Sequence, residues 1–444
     1  MGKYQGYEKY KDSGVEWLGE IPEHWEIWKV THGFKNVGSG TTPKSDNPDF
    51  YDGDIPWITT SELRESVIED TSQKVTKEAL RNYSTLKIYP KGSVAIAMYG
   101  ATIGRLGILG IDATVNQACC VFSESEVFHL PFFYYWLWMH RPNLIALSAG
   151  GGQPNLSQDD LKQLRLAIPP LEEQDAIAQF LDHKTSQIDA LISKKEALLE
   201  KLDEKRTALI SHAVTKGLDP TVPMKDSGIE WLGDIPAHWE AVGLTKYLQS
   251  LVDYRGKTPE KTKDGVFLVT AKNIKNGVID YSLSQEFVKE DEYDEIMRRG
   301  KPEIGDVLLT TEAPLGEVAN VDDTNIALAQ RIIKMQGKTD SLDNYFLKYW
   351  MLGAFFYQNL QSLCTGSTAL GIKASKLCLL KVILPPLEEQ KKIAQYLREK
   401  IAEIDQQKTK IQQAIDLLKE YRTALITNAV TGKIDVRQVP IPQP

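Results

Sequence analysis

Between Pro170 and Gly217 no proline or glycine interrupts the chain. Apolar residues recur there at steps of three, four or their multiples: Ile177, Leu181, Ile188, Leu191, Leu198, Leu202 and Leu209. That period predicts a single helix, about 65 Å long at 1.5 Å per residue. Pro169 and Pro170 suit a helix start, and Glu172 and Glu173 complement the positive end of its dipole. The same pattern returns after Pro385–Pro386, with Ile393, Leu397, Ile404, Ile411, Ala414, Leu418 and Leu425 in step. Both stripes are heptad-like, so each needs a partner helix, and each is the natural partner of the other.

Upstream of each helix the pattern changes. Short apolar runs punctuated by glycine predict strands at Val94–Met98, Arg105–Leu109 and Ala118–Phe122, then a buried aromatic-rich helix over 131–147. The second half predicts strands at Val307–Thr311, Glu317–Val321 and Arg331–Met335, then one helix over 343–360. The predicted class is α+β.

The chain is written twice. KDSGVEWLGEIPEHWE at 11–26 and KDSGIEWLGDIPAHWE at 225–240 agree at thirteen of sixteen positions. PPLEEQDAIAQFLDHK from Pro169 matches PPLEEQKKIAQYLREK from Pro385, and RTALI followed by AVT closes both copies. Offsets of 214 and 216 keep the spacing between matches nearly constant, which excludes chance. Between the matches, residues 27–168 and 241–384 share only landmarks: Pro43 and Pro259, Gln117 and Gln330, Gly150 and Gly366. Four parts follow: a variable domain over 1–168, a helical spacer over 169–220, a second variable domain over 221–384, and a second spacer with tail over 385–444. An antiparallel pairing of the spacers would relate the domains by a pseudo-two-fold axis and hold them a set distance apart. Two unlike heads so held suit two unlike half-sites on a duplex.

Charge argues against a simple DNA binder. The net charge is −8 over 444 residues. Residues 1–168 hold 16 basic and 20 acidic side chains, and residues 221–384 hold 19 and 22. DNA affinity rests largely on Lys and Arg meeting phosphates. The expectation is therefore local readers, help from a partner, and weak DNA binding by the chain alone. Cys119, Cys120, Cys364 and Cys378 form no CxxC pair, which fits a reducing cytosol and a cytoplasmic protein. No long apolar run predicts a membrane span, and the polar start MGKYQGYEKYKDSG does not read as a secretory signal.

The doubled order of KDSGVEWLGEIP–HW, PPLEEQ–IA–FL and RTALI–AVT resembles the specificity subunit of type I restriction–modification systems, over nearly the whole chain. The resemblance implies two target-recognition domains alternating with two conserved helical regions. It implies double-stranded DNA as ligand, two methyltransferase subunits as partners and, optionally, restriction–translocase subunits. Adenine methylation and remote cleavage would belong to those partners, so the chain itself is expected to be no enzyme and to carry neither cofactor nor metal.

Candidate readers come from basic, amide and hydroxyl residues in glycine-bounded loops. Tyr254–Lys275 is the clearest basic stretch, with Arg255, Lys257, Lys261, Lys263, Lys272 and Lys275 for phosphates and Asn273 and Asn276 for base edges. A solvated loop is the alternative. In the first half, Ser39–Lys44 with Thr59, Thr60 and Ser61 offers Lys44 and hydroxyls, though Gly38, Gly40 and Pro43 also suit a plain turn. Tyr99–Arg105 is a loop between strands whose Tyr99 and Arg105 could reach bases; a tight hairpin is the alternative. Gly150–Asn155 places Gln153 and Asn155 to read adenine, or serves as a hinge; Gly366–Thr368 is its counterpart. Trp17, Trp25, Trp231 and Trp239 recur in both copies and are read as scaffold. Glu172–Gln174 and Glu388–Gln390 are read as helix caps, with a partner-docking border as the alternative.

Enzyme motifs fail on inspection. Gly256–Lys257–Thr258 resembles the end of a phosphate loop, but position 251 is Leu where Gly is required. The seven histidines form no HExxH, and no methyltransferase tetrapeptide occurs. A coiled-coil scaffold binding only proteins, and a stand-alone enzyme, remain as the rival classes.

Overall fold

The computed structural model describes residues 4–147, 155–256, 259–364 and 371–442. It divides the chain into two compact units, Met1–Lys194 with Gln413–Pro444, and Lys195–Gln412.

In the first unit, a five-stranded sheet runs in the order Phe34–Ser39, Cys119–Ser125, Val94–Ala97, Leu106–Leu109, Ser66–Ile68. Its centre is apolar on both faces: Val94 to Ala97 and Cys119 to Phe122 are fully buried. A smaller sheet sets Tyr51–Ile58 between Thr114–Val115, which runs parallel to it, and Lys74–Val75. Helix Leu130–Leu147 covers the larger sheet with Phe132, Phe133, Trp136 and Leu137, all at zero exposure. Phe133 meets Phe34, Phe122 and Phe128 in one aromatic cluster.

The second unit repeats the frame. Leu248–Asp253, Ile332–Gly337, Val307–Thr311 and Leu315–Asn320 form its larger sheet. Phe287–Val288, Val266–Val269 and Ile326–Leu328 form the smaller one, again with a parallel pair. Cys120 faces Ile96 in the first unit as Ile333 faces Leu309 in the second. One difference is a buried ion pair: Lys334 Nζ lies 2.6 Å from Asp306 Oδ2, with side chains 5% and 0% exposed. The first unit has Val121 and Ser93 at the corresponding places.

The expected strands are present, Val307–Thr311 with its expected ends and the others with ends shifted by up to three residues. The helix expected over 343–360 is two helices, Asn344–Leu352 and Ala354–Ser362. Gly353 breaks it by adopting extended torsions (φ −69, ψ 144), and the freed N–H of Ala354 bonds Ser211 Oγ at 3.2 Å. Short strands at Glu26–Lys29 with Arg165–Ile168, and at Glu240–Gly243 with Lys381–Leu384, carried too few residues to read from pattern alone.

The long helices span Leu171–Lys216 and Leu387–Val430. Ile177, Leu181, Ile188 and Leu202 are buried as expected, as are Ile393, Leu397, Ile404 and Leu425. Leu191 and Leu198 are not on the inward stripe: each is 47% exposed, while Ile192 is 8% exposed. The stripe steps by four from Ile188 to Ile192, which turns Leu191 about 100° away. Asp189 accepts from Arg422 Nη2 at 3.3 Å in the first unit. In the second, Asp203 lies 2.5 Å from Lys408 Nζ and Asp405 lies 3.6 Å from Arg206 Nη1.

The duplicated motifs meet at the helix starts. Glu173 is nearly buried and accepts from the Tyr7 hydroxyl (2.6 Å) and Trp25 Nε1 (3.0 Å), with His24 Nε2 at 2.8 Å. Glu389 receives Trp239 Nε1 (3.1 Å) and His238 Nε2 (2.8 Å). Gln174 accepts from the His129 N–H and donates to the carbonyls of Val127 and Pro169; Gln390 does the same with Asp343, Ser341 and Pro385. Where caps were expected, the second glutamate and the glutamine of each LEEQ instead fasten a domain to its helix. The opposite helix end closes the joint. Gly432 (φ +71) sits where a Cβ would lie 2.4 Å from Pro22 Cδ, and Gly217 (φ +79) lies against Trp239.

Candidate nucleic-acid interface

In each unit the loops leaving one end of the two sheets converge. In the first unit, Gly40 N–H bonds the Asn116 carbonyl, and Asn116 N–H bonds that of Ile58. These bonds draw together Ser39–Lys44, Thr59–Ser61 and Gln117. Gly40 is required by closeness, since a Cβ there would lie 1.7 Å from the Val115 oxygen. Thr42 Oγ1 donates to Gln117 Oε1 at 2.5 Å, and Tyr51 and Trp57 bond the carbonyls of Pro43 and Thr41. Gly40 and Pro43 lie ahead of the turn, which falls at Ser45 and Asp46, and the Lys44 side chain is exposed with no partner among the described residues. Thr59 Oγ1 pairs with Ser61 Oγ at 2.8 Å beside Glu62; Thr60 is half-buried and Ser61 exposed.

Tyr99 and Asn155 join the same end. They face each other in an isolated bridge, next to the Met98 N–H that bonds the Ala118 carbonyl. Tyr99 is 39% exposed and Asn155 is exposed. Arg105 lies at the far side of the Tyr99 loop, half-buried, with no ion pair or side-chain hydrogen bond among the described residues. Gln153 and the rest of Gly150–Pro154 lie outside the described residues, as do Lys257, Thr258 and Gly366–Thr368.

In the second unit two adjoining clefts occupy the equivalent place. One, of about 600 Å³, is lined by Tyr254, Arg255, Arg298, Arg299 and Gln330 with Glu292 and Glu295. The other, of about 280 Å³, is lined by Lys261, Thr270, Lys272, Gln330 and Arg331. Pro259 and Gln330 border both. Arg255 is clamped by Asp253, with Nη2 at 2.7 Å from Oδ2, and Arg299 donates to the carbonyls of Asp253 and Arg255 at 2.7 and 2.5 Å. The buried Tyr254 donates to the Gly300 carbonyl, and burial, then the Asp306 charge, hold its hydroxyl well above the usual phenol range. The guanidinium groups of Arg255 and Arg299 are thus held by these bonds. Lys261 pairs with Glu286 at 2.7 Å and Arg331 with Glu312 at 3.3 Å, whereas the exposed Lys272 is unpaired among the described residues.

Two expectations change. Asn273 is fully buried and cannot meet a base edge: its oxygen accepts from the N–H and hydroxyl of Thr270, and its nitrogen donates to the carbonyls of Asp280 and Ser284. It shapes the turn that carries Lys272. Lys275 and Asn276 line neither cleft; their hairpin is held by Arg206, which donates to the Asn276 carbonyl at 2.6 Å. Arg298, Arg299, Arg331, Gln117 and Gln330 were not singled out as readers. The two glutamines had a signal, since both follow the short parallel strand of the smaller sheet in their own copy. The arginines had none, because the fold alone brings residues 298 and 299 to the cleft of residue 255 and residue 331 to the adjoining one.

Burial pushes the Cys120 thiol up to about 12, and Cys119 higher still, so neither is a ready nucleophile. Among the described residues, no group of three or more His, Cys, Asp or Glu could hold a metal ion. No described helix is long and apolar enough to cross a membrane.

A family model described as the type I restriction modification DNA specificity domain matches residues 22–201 and 246–416. The specificity subunit of the type I restriction enzyme MjaVIII of Methanocaldococcus jannaschii is 25% identical over 429 residues, covering 94% of this chain and 95% of that one. That of EcoBI from Escherichia coli is 24% identical, over 72% and 69% of the two chains. Among solved structures, one from work on complex assembly and conformational transition of the type I R-M system aligns with a TM-score of 0.71 at 15% identity, over 92% of this chain and 98% of that one. The crystal structure of the HsdS subunit from Thermoanaerobacter tengcongensis aligns at 0.53 and 17%, over 95% and 100%. These structural likenesses are of fold.

Proposed function

The chain belongs to the type I restriction modification DNA specificity family, and from that premise we propose that it reads a bipartite, asymmetric DNA site and positions methyltransferase subunits on it. The observation that carries the reading is one frame built twice with unlike ends. Four strands of the larger sheet and three of the smaller follow the same order in both units, yet one end offers Thr42, Gln117, Thr60 and Ser61 where the other offers Arg255, Arg299, Gln330 and Arg331. A hydroxyl- and amide-lined end and a guanidinium-lined end suit different base edges: Arg pairs best with guanine, and Gln or Asn with adenine.

The first recognition domain is assigned to residues 1–168 and the second to 221–384, with spacers at 169–220 and 385–444. The spacer helices form an antiparallel coiled coil that sets the distance between half-sites. In support, as one partner's number rises from 203 to 206 the other's falls from 408 to 405, and Asp189 with Arg422 fits the same step. Lys44, Thr60, Ser61, Tyr99, Arg105 and Asn155 contact the first half-site; Arg255 and Lys272, with Gln330 and Arg331, serve the second. Two methyltransferase subunits bind, restriction subunits join optionally, and the chemistry is theirs. The complex works in the cytoplasm.

Exchanging residues 27–168 for those of a relative with another target tests this. Mapping methylated adenines should show one half of the site changed and the other kept. An unchanged target, or two changed halves, overturns the reading.

A further inference from the structure

The first repeated motif is more alike than its packing demands. Its loop has the same exposure pattern, residue for residue, at 11–20 and 225–234. Most of the identities have an internal reason. Asp12 and Asp226 each accept from the glycine two residues on, at 2.9 Å. Ser13 and Ser227 accept from the N–H groups of Val15 and Ile229. Gly14, Gly19, Gly228 and Gly233 hold positive φ, Leu18 and Leu232 are buried, and the HW pairs bind the helix glutamates.

Three identical pairs have no such reason. Lys11 and Lys225, Glu16 and Glu230, and Trp17 and Trp231 are all exposed. No ion pair or side-chain hydrogen bond engages any of them among the described residues. The indoles are 43% and 38% exposed. Trp17 lies against Trp136 and His140, Trp231 against Phe355. Packing onto unlike neighbours does not call for the same ring twice, and neither ring's N–H is used.

A surface repeated in side chains that the fold does not need faces something that comes twice. The two half-sites differ, and a glutamate within five residues of the lysine disfavours phosphate, so DNA is a poor match. We propose that the Lys–Glu–Trp loops at 11–17 and 225–231 are equivalent docking points for two copies of one protein chain. This rests on the functional reading above, which makes that chain the methyltransferase subunit. The partner offers an apolar socket with an acceptor for the indole N–H, flanked by an acidic and a basic group that meet the lysine and the glutamate. Opposite charges either side of an aromatic anchor fix orientation as well as affinity.

The test co-expresses the full chain with its cognate methyltransferase and weighs the complex by native mass spectrometry. Lys11→Ala/Trp17→Ala should leave one methyltransferase bound, Lys225→Ala/Trp231→Ala likewise, and the combined variant should bind both about 30-fold more weakly or worse. Lys11→Glu/Glu16→Lys, which alters only solvent-facing charge, repeats the single-loop test with the indole and its packing intact. It should also lose one copy, and thermal melting should match the parent. If the parent binds no methyltransferase, the functional reading falls and the proposal with it. If the parent binds two and every variant also binds two at unchanged affinity, the proposal alone falls. Intact assembly with weakened binding to any DNA sequence also overturns it, and assigns the loops to phosphate.

Discussion

Glu173→Ala should cost far more than Glu389→Ala, although the two glutamates occupy the same place in the repeat. The Glu173 side chain is 7% exposed, and two of its three donors, Tyr7 and Trp25, are themselves buried. Burial, then the carboxylate itself, hold the Tyr7 hydroxyl well above the usual phenol range, so it stays a donor. Truncation leaves a hydroxyl and an indole N–H buried without an acceptor. At roughly 1.5–3 kcal/mol per hydrogen bond to a charged group, the loss is about 3–6 kcal/mol. His24 adds little, being 41% exposed. Glu389 is 29% exposed and has one buried donor, Trp239. Its loss is about 1.5–3 kcal/mol on the same scale. Urea unfolding followed by tryptophan fluorescence reads both variants, and Glu173→Gln, which keeps one acceptor oxygen, should recover most of the difference. Equal losses, or a loss below about 1 kcal/mol for Glu173→Ala, would refute the view that these bonds fasten domain to helix.

Gly432→Ala should lower the melting temperature more than Gly217→Ala: both force a side chain into left-handed torsions at roughly 1–2 kcal/mol, but only the first also strikes a proline ring. Lys334→Met should destabilise the second unit by about 3–5 kcal/mol, because it strands the Asp306 charge, and Lys334→Met/Asp306→Leu should recover most of that loss in thermal melts. His140 is held neutral by burial, its folded pKa lowered to about 4 from about 6.5 when unfolded. Its contribution is complete above pH 6.5 and falls away as pH drops towards 4, since the unfolded chain takes up the proton first; across that window it amounts to about 3 kcal/mol. His140→Gln should flatten that part of the stability profile, and an unchanged slope would show that another group sets it.

What could be read from sequence divides along physical lines. The long helices and central strands were legible because burial of one stripe or both faces leaves a period in the chain. Gly353 was not, since a lone glycine within an apolar run reads as helix until a neighbour such as Ser211 takes up the freed N–H. Leu191 was misplaced because a step of three and a step of four both satisfy a helical pattern, and only the partner surface chooses between them. The candidate interface was half legible. Lys44 and Lys272 stand out by charge, while Asn273 looked like a reader and proved to be a turn builder, a role fixed by carbonyls up to eleven residues away. Arg298 and Arg331 reach the two adjoining clefts only through the fold.

The make-up of the two units has a bearing on how the molecule comes into being. Lys195–Gln412 is one unbroken stretch, whereas its counterpart draws on segments separated by more than two hundred residues, closed where Asp435 bonds Gln5 and Arg437 covers the Tyr7 ring. On the ribosome, the half made first must therefore wait, open along the flank of its helix, while the half made later can finish ahead of it. Birth order and completion order are reversed, and the waiting half is where a chaperone or an early partner would have most to shield.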